Sequence, residues 1–162
     1  AGVDTPGILF VNTEKNEIFM ERIDGSSTKE WIEKIRKEDS TNIREELKYI
    51  GRQIGVGVGK MHSVGLIHGD LTTSNILLRG DNPHKMVFID FGLSSQMKVT
   101  TEEKGVDLYV LERAIASTHD GGELLWEGVL SGYKETGGKQ VESVLCKLDE
   151  VRMRGRKRAM LG

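Results

Sequence analysis

The chain has 162 residues, with 23 Lys and Arg against 25 Asp and Glu for a formal net charge of −2, and 37% of its residues are hydrophobic. This composition excludes a disordered or fibrous chain, and the length suits one domain or one lobe of something larger. A single cysteine, Cys146, excludes an internal disulfide and a thiolate zinc cluster, and fits a reducing compartment; four histidines without H-E-x-x-H exclude a zinc protease of that type. No apolar run approaches the ~18 residues of a membrane span, so no membrane partner is expected. The sequence starts at Ala1, close to a strand, and reads as a fragment.

Ile8-Leu9-Phe10-Val11 and Ile18-Phe19-Met20 flank the polar Thr13-Glu14-Lys15-Asn16, which predicts a β-hairpin. Ser27 and Glu30 have capping-box spacing for a helix through Trp31, Ile32 and Ile35. A second helix follows, with Leu47, Ile50, Ile54, Val58 and Met61 on one face. Gly51, Gly55, Gly57 and Gly59 before Lys60 imitate a phosphate loop, but Ile54 and Met61 occupy the positions that Walker spacing reserves for glycine and a hydroxyl. They read instead as a helix packed closely on a neighbour through small residues. Ile76-Leu77-Leu78 and Met86-Val87-Phe88-Ile89 predict a second hairpin. The remainder is helical by its spacing, at Leu108/Leu111/Ile115, Leu124/Leu125/Val129 and Val141/Val144/Leu145/Leu148/Val151. The expected class is α+β, mostly helical with two small hairpins.

The chemistry-bearing stretch is His68-Gly69-Asp70-Leu71-Thr72-Thr73-Ser74-Asn75, followed by Phe88-Ile89-Asp90-Phe91-Gly92. Asn75 precedes one strand of the second hairpin and Asp90 follows the other, so antiparallel pairing brings them together. Two oxygen-bearing side chains at a hairpin mouth suit a hard cation such as Mg²⁺, which takes few protein ligands and completes its shell with water and phosphate oxygens. Asp70 is placed to accept a proton from a hydroxyl or to orient a water. His68 reads as a residue pinning the loop, and Gly92 as the position of a sharp backbone turn. His62, His84 and His119 show no partner in the sequence and read as surface residues; Trp31 and Trp126 read as core packing. Ser94, Ser95, Thr100 and Thr101 read as hydroxyls of a polar loop.

The spacing Asp70-x-x-x-x-Asn75 and the triplet Asp90-Phe91-Gly92 resemble the catalytic and metal loops of protein kinases. Gly69 stands where those kinases carry arginine, Thr72 where they carry lysine, and no A-P-E follows. With Lys104-Gly105-Val106-Asp107-Leu108-Tyr109-Val110-Leu111-Glu112 and the terminal Arg154-Gly155-Arg156-Lys157-Arg158, the chain resembles the PRPK family, the small atypical serine/threonine kinases of the KEOPS (EKC) complex. The resemblance implies a kinase-like large lobe and an ATP- and Mg²⁺-dependent protein kinase or ATPase, with Asp70 as catalytic base and Asn75 and Asp90 as metal ligands. It implies that Asp107 supports the catalytic loop and that Glu21, Arg22 and Ile23 form a hinge touching adenine through main-chain groups. It also implies partners: the KEOPS transferase subunit and other complex subunits, in support of threonylcarbamoyladenosine modification of tRNA, with no DNA partner. A small-molecule kinase of the aminoglycoside or choline type, or a kinase-like binding module without catalysis, are the alternatives.

By the same resemblance, residues 1–24 are a remnant of the small lobe with its hinge, 25–151 the large lobe, and 152–162 a basic tail. No glycine-rich loop, strand lysine or helix glutamate occurs here, so most of the small lobe is expected to be absent and nucleotide binding by this chain weak. Of the 23 basic residues, five fall between 152 and 158, leaving 18 against 25 acidic residues elsewhere. This tail, with Arg154, Arg156, Lys157 and Arg158, is read as a phosphate- or tRNA-binding arm near the active site, as a nuclear-entry signal, or as a solvated end. Cytoplasm and nucleus are the expected locations.

Overall fold

The computed structural model describes residues 2–38 and 42–161; side chains from 156 onward, including Arg156, Lys157 and Arg158, lie outside the described set. Strands β1 (Ile8–Asn12) and β2 (Glu17–Met20) form the first antiparallel hairpin, with Val11 opposite Ile18 and Asn12 opposite Glu17. Its turn is local chemistry: Asn12 Oδ1 accepts the N–H groups of Glu14 and Lys15 at 3.1 and 3.2 Å, and Asn16 takes a left-handed φ of 54°. Helix α1 (Thr28–Lys37) starts with the expected capping box, in which Ser27 Oγ accepts from Glu30 N–H and Glu30 accepts from Ser27 N–H at 2.8 Å.

Helix α2 (Ile43–Ser63) is the centre of the molecule, and Leu47, Ile50, Ile54, Val58 and Met61 are all buried. Strands β3 (Ile76–Leu78) and β4 (Met86–Phe88) pair antiparallel as the second hairpin, with Ile76 opposite Phe88 and Leu78 opposite Met86. Helices α3 (Thr101–Thr118), α4 (Glu123–Thr136) and α5 (Val141–Leu161) complete the chain. Thr100 is not a free loop hydroxyl. It is the N-cap of α3, accepting from Glu103 N–H at 3.2 Å and donating to the Glu103 carboxylate at 2.8 Å. No helix among the described residues is long and apolar enough to cross a membrane.

The glycines of α2 set the packing. A Cβ on Gly51 would lie 2.1 Å from the Leu125 carbonyl oxygen and one on Gly55 2.0 Å from that of Val129. Across the contact, a Cβ on Gly132 would lie 2.0 Å from the Arg52 carbonyl oxygen. The two helices therefore touch backbone to backbone, and the helix-propensity cost of glycine, roughly 1 kcal/mol at each position, is offset by dispersion along this seam. Arg52 and Glu135 close it at the surface with a two-bond ion pair at 2.8 and 2.6 Å.

Helix α5 lies along α3, and the expected boundary at residue 152 falls inside it. Arg152 binds Glu112 through two hydrogen bonds of 2.8 and 2.6 Å, and Arg154 binds Glu102 at 2.7 Å. At the other end of the chain, Phe88 N–H donates to the Asp4 carbonyl, so the residues before β1 run beside β4.

Gly55→Ala is expected to force α2 and α4 apart, at a cost on the order of 3 kcal/mol, lowering the melting temperature by roughly 5–10 °C. Gly7→Ala, whose Cβ meets only Glu21 Oε2 at 3.9 Å, should leave the melting temperature unchanged; thermal unfolding by circular dichroism compares the two.

Candidate active site

The loop from His68 to Asn75 is built around a buried carboxylate. Asp107, on α3 and 2% exposed, accepts Gly69 N–H on Oδ1 at 2.9 Å and His68 N–H on Oδ2 at 3.1 Å. His62 adds a third donor to Oδ2 at 3.0 Å, and its other ring nitrogen lies 3.1 Å from the Tyr133 hydroxyl. Burial holds the Tyr133 phenol well above its ordinary range, so it stays protonated and donates to His62 Nδ1. The Asp107 carboxylate can only accept, so it is the Nε2–H of His62 that donates to it. His62 is fully buried, not a surface residue as its sequence context suggests. The only hint in the sequence is its place on α2 one residue after Met61, beside the apolar face.

Gly69 is required here. Its φ is +87°, and a Cβ would lie 2.3 Å from the Leu93 carbonyl oxygen, so the position that carries arginine in ordinary protein kinases cannot take a side chain in this loop. His68 joins the two loops. Asp70 N–H donates to its Nδ1 at 3.3 Å, its Nε2–H donates to the Ile89 carbonyl at 2.9 Å, and its ring packs on Phe91 with centroids 4.6 Å apart.

Asp70 and Asn75 meet directly. Asn75 Nδ2 donates to the Asp70 carbonyl at 2.9 Å and to Asp70 Oδ2 at 3.1 Å. A 3-10 turn over Thr73–Asn75 produces this approach, capped by Thr72 Oγ1, which accepts Asn75 N–H at 3.3 Å. Ile89 N–H donates to the Asn75 carbonyl at 3.0 Å, which extends the β3–β4 pairing by one step and brings Asp90 to the same mouth. The Asp90 carboxylate is exposed and has no hydrogen-bond partner among the described residues. The sharp turn belongs to Asp90 and not to Gly92: Asp90 has φ +62°, whereas Gly92 does not. Gly92 supplies space, since a Cβ there would press on Asp90 Oδ1 at 3.3 Å. Among the described residues no three His, Cys, Asp or Glu side chains gather as a metal nest. The side-chain oxygens without a hydrogen bond here, among the described residues, are Asp70 Oδ1, Asn75 Oδ1 and the Asp90 carboxylate.

A cavity of about 720 Å³ adjoins the mouth, walled by Ile8, Ile18 and Met20 of the first hairpin against Leu66 and Ile89, with Asp90 and Gly92 also on its border. Its lining reaches Met20 and leaves out Glu21, Arg22 and Ile23, so the expected hinge residues do not line it. The Glu21 side chain turns to Arg79, which also contacts Asp4 at 3.4 Å, and the Arg79 guanidinium with the Gly7 N–H holds the Glu21 carboxyl below its usual range. Arg22 pairs with Asp24 at 3.3 Å in solvent. The Glu21 carbonyl and Ile23 N–H make no hydrogen bond within the described residues. Arg154, expected in an arm near the active site, is bound to Glu102 on α3.

Besides His62, His119 departs from the surface reading, whereas His84 lies at the surface with a partner the sequence did not show. His119 is 4% exposed and bonds Thr73 Oγ1 at 2.9 Å, and the exposed His84 hydrogen-bonds the Tyr49 hydroxyl.

The protein kinase domain family matches residues 8–120. EKC/KEOPS complex subunit bud32 of Dictyostelium discoideum is 42% identical over 161 residues, 99% of this chain and 62% of that protein. The EKC/KEOPS complex subunit BUD32 proteins of Gibberella zeae and Yarrowia lipolytica are 43% and 38% identical over 99% of this chain, which covers 64% and 69% of their lengths. The chain belongs to the protein kinase family, in its EKC/KEOPS BUD32 branch. It spans about two thirds of the length of these relatives.

Asp107→Asn is expected to destabilise the protein by about 1–3 kcal/mol, because an amide offers one acceptor oxygen to three buried donors and turns its NH₂ against one of them. Hydrogen exchange at His68 and Gly69 should accelerate together with the loss of thermal stability.

Proposed function

We propose that this chain forms the hinge and catalytic lobe of a Mg²⁺-dependent enzyme that uses ATP as a protein kinase or ATPase. It acts as an EKC/KEOPS subunit in support of threonylcarbamoyladenosine modification of tRNA. The observation that carries the reading is the Asp70–Asn75 hydrogen bond at the mouth of the β3–β4 hairpin, with Asp90 beside it and the cavity of about 720 Å³ next to it.

The residues fit the roles. The single hydrogen bond from Asn75 Nδ2 leaves Asp70 Oδ1 unpaired, able to accept a hydroxyl proton or to orient a water. The same bond turns the Asn75 amide nitrogen inward, so its oxygen is the atom left for a metal. The lone exposed carboxylate of Asp90 is the second ligand, a donor set of the hard, oxygen-only kind that Mg²⁺ selects. When bound, Mg²⁺ neutralises phosphate charge and aligns the transferred group. The apolar walls of Ile8, Ile18 and Met20 suit a flat base; the Glu21 carbonyl and Ile23 N–H, outside the cavity lining and unbonded among the described residues, are the main-chain groups that would meet its polar edge. Gly69 and Thr72, where ordinary protein kinases carry arginine and lysine, leave the loop without those two cations and give the reading its atypical character.

In the full-length protein, Asp90→Ala is expected to reduce ATP turnover at least about a hundredfold, measured with and without the transferase subunit. The melting temperature should fall by only a few degrees, the cost of alanine at a left-handed φ, since the carboxylate is exposed and holds no other side chain among the described residues. Turnover equal to the unsubstituted protein would refute the assignment.

A further inference from the structure

The catalytic loop is gripped at its start by Asp107 of α3. A second grip comes from the other end of the same helix. His119 is the C-cap of α3, its N–H bonded to the Ile115 carbonyl at 2.9 Å and its carbonyl to Gly122 N–H at 3.1 Å, so its backbone is fixed from both sides. From there the imidazole Nε2 reaches Thr73 Oγ1 at 2.9 Å. Both residues are buried, His119 at 4% and Thr73 at 2% exposure. The three consecutive hydroxyls of the loop have separate fates. Thr72 caps the 3-10 turn, Ser74 is exposed, and Thr73 alone points into the protein, where the histidine is its only hydrogen-bond partner among the described residues.

We infer that His119 is a positioning residue for the metal site, acting through Thr73 on Asn75. Thr73 is the first residue of the turn that ends at Asn75, so the height of Thr73 above α3 sets where the Asn75 amide meets Asp70. Asp107 and His119 lie roughly 18 Å apart along α3, which makes the helix a splint across the loop. Asp107 fixes the segment before Asp70, and His119 fixes the segment before Asn75. Burial and the nearby Arg36 hold the His119 imidazole below its ordinary range, so the group facing Thr73 is the neutral ring. Hydrogen-bonded groups that orient metal ligands without touching the metal commonly govern metal affinity more than fold. The inference rests on the proposed Mg²⁺–ATP function of this same site.

The test uses the full-length protein in its complex, with three variants: His119→Ala, His119→Phe, which fills the space without a hydrogen bond, and His119→Gln, whose amide can still reach Thr73. Amide hydrogen exchange across residues 70–76 reports the tether without any ligand. It should accelerate in the Ala and Phe variants and return toward the native rate in the Gln variant, while His68 and Gly69, held by Asp107, stay protected. The Mg²⁺ concentration for half-maximal ATP turnover should rise on the order of tenfold in the Ala and Phe variants, with KM for ATP at saturating Mg²⁺ unchanged, and recover in the Gln variant. Unaltered exchange overturns the tether. Faster exchange with an unaltered Mg²⁺ requirement, or Phe behaving as native, overturns the positioning role and leaves a packing residue. An unsubstituted complex without Mg²⁺-dependent turnover overturns the proposed function, and with it this role.

Discussion

The carboxylate of Asp107 holds four parts of the chain in one relationship. A buried charge costs several kcal/mol unless it is fully hydrogen-bonded, and here Gly69 N–H, His68 N–H and His62 satisfy it. Tyr133 on α4 closes the relay behind His62. Helices α2, α3 and α4 and the His68–Asn75 loop therefore share one buried polar network. Moving any of them leaves a buried donor or acceptor without its partner.

That network needs the close approach of α2 and α4. A Cβ on Gly55 would lie 2.8 Å from the Tyr133 backbone nitrogen, so the absence of side chains along this seam is what brings the Tyr133 hydroxyl within reach of His62. The stretch of α2 that imitates a phosphate loop thus serves the site indirectly. Its glycines let the helix that carries His62 seat against the helix that carries Tyr133.

Polar groups around the His68–Asn75 loop fall into two populations. Those beneath the loop are paired and buried: His62, His68, Asp107, Tyr133 and the Thr73–His119 couple. Those at the hairpin mouth keep unsatisfied capacity: Asp70 and Asn75 share one side-chain bond, and Asp90 has none among the described residues while sitting at a left-handed φ of 62°. Strained, under-used polar groups concentrated over a rigid base are characteristic of a site that completes its interactions with a ligand.

The sequence by itself determined whatever depends on near neighbours. The Ser27–Glu30 capping box, the turn after Asn12, the face of α2 and the two hairpins are consequences of contacts a few residues long, where propensity and spacing act directly. The pairing of Asn75 with the segment at Asp90 was legible for the same reason, since a short antiparallel hairpin converts sequence distance into proximity. The Thr100–Glu103 cap obeys the same rule and could have been read from its spacing. Tertiary structure alone decided the partners of His62 and His119, which face residues 45 and 46 positions away. It also decided the left-handed backbone at Asp90, the role of Gly92 as space beside a carboxylate, and the seating of Arg152 and Arg154 on α3. A histidine or arginine carries the same spacing signal whether it faces water or a buried partner, and only the packing of helices around α2 distinguishes the two.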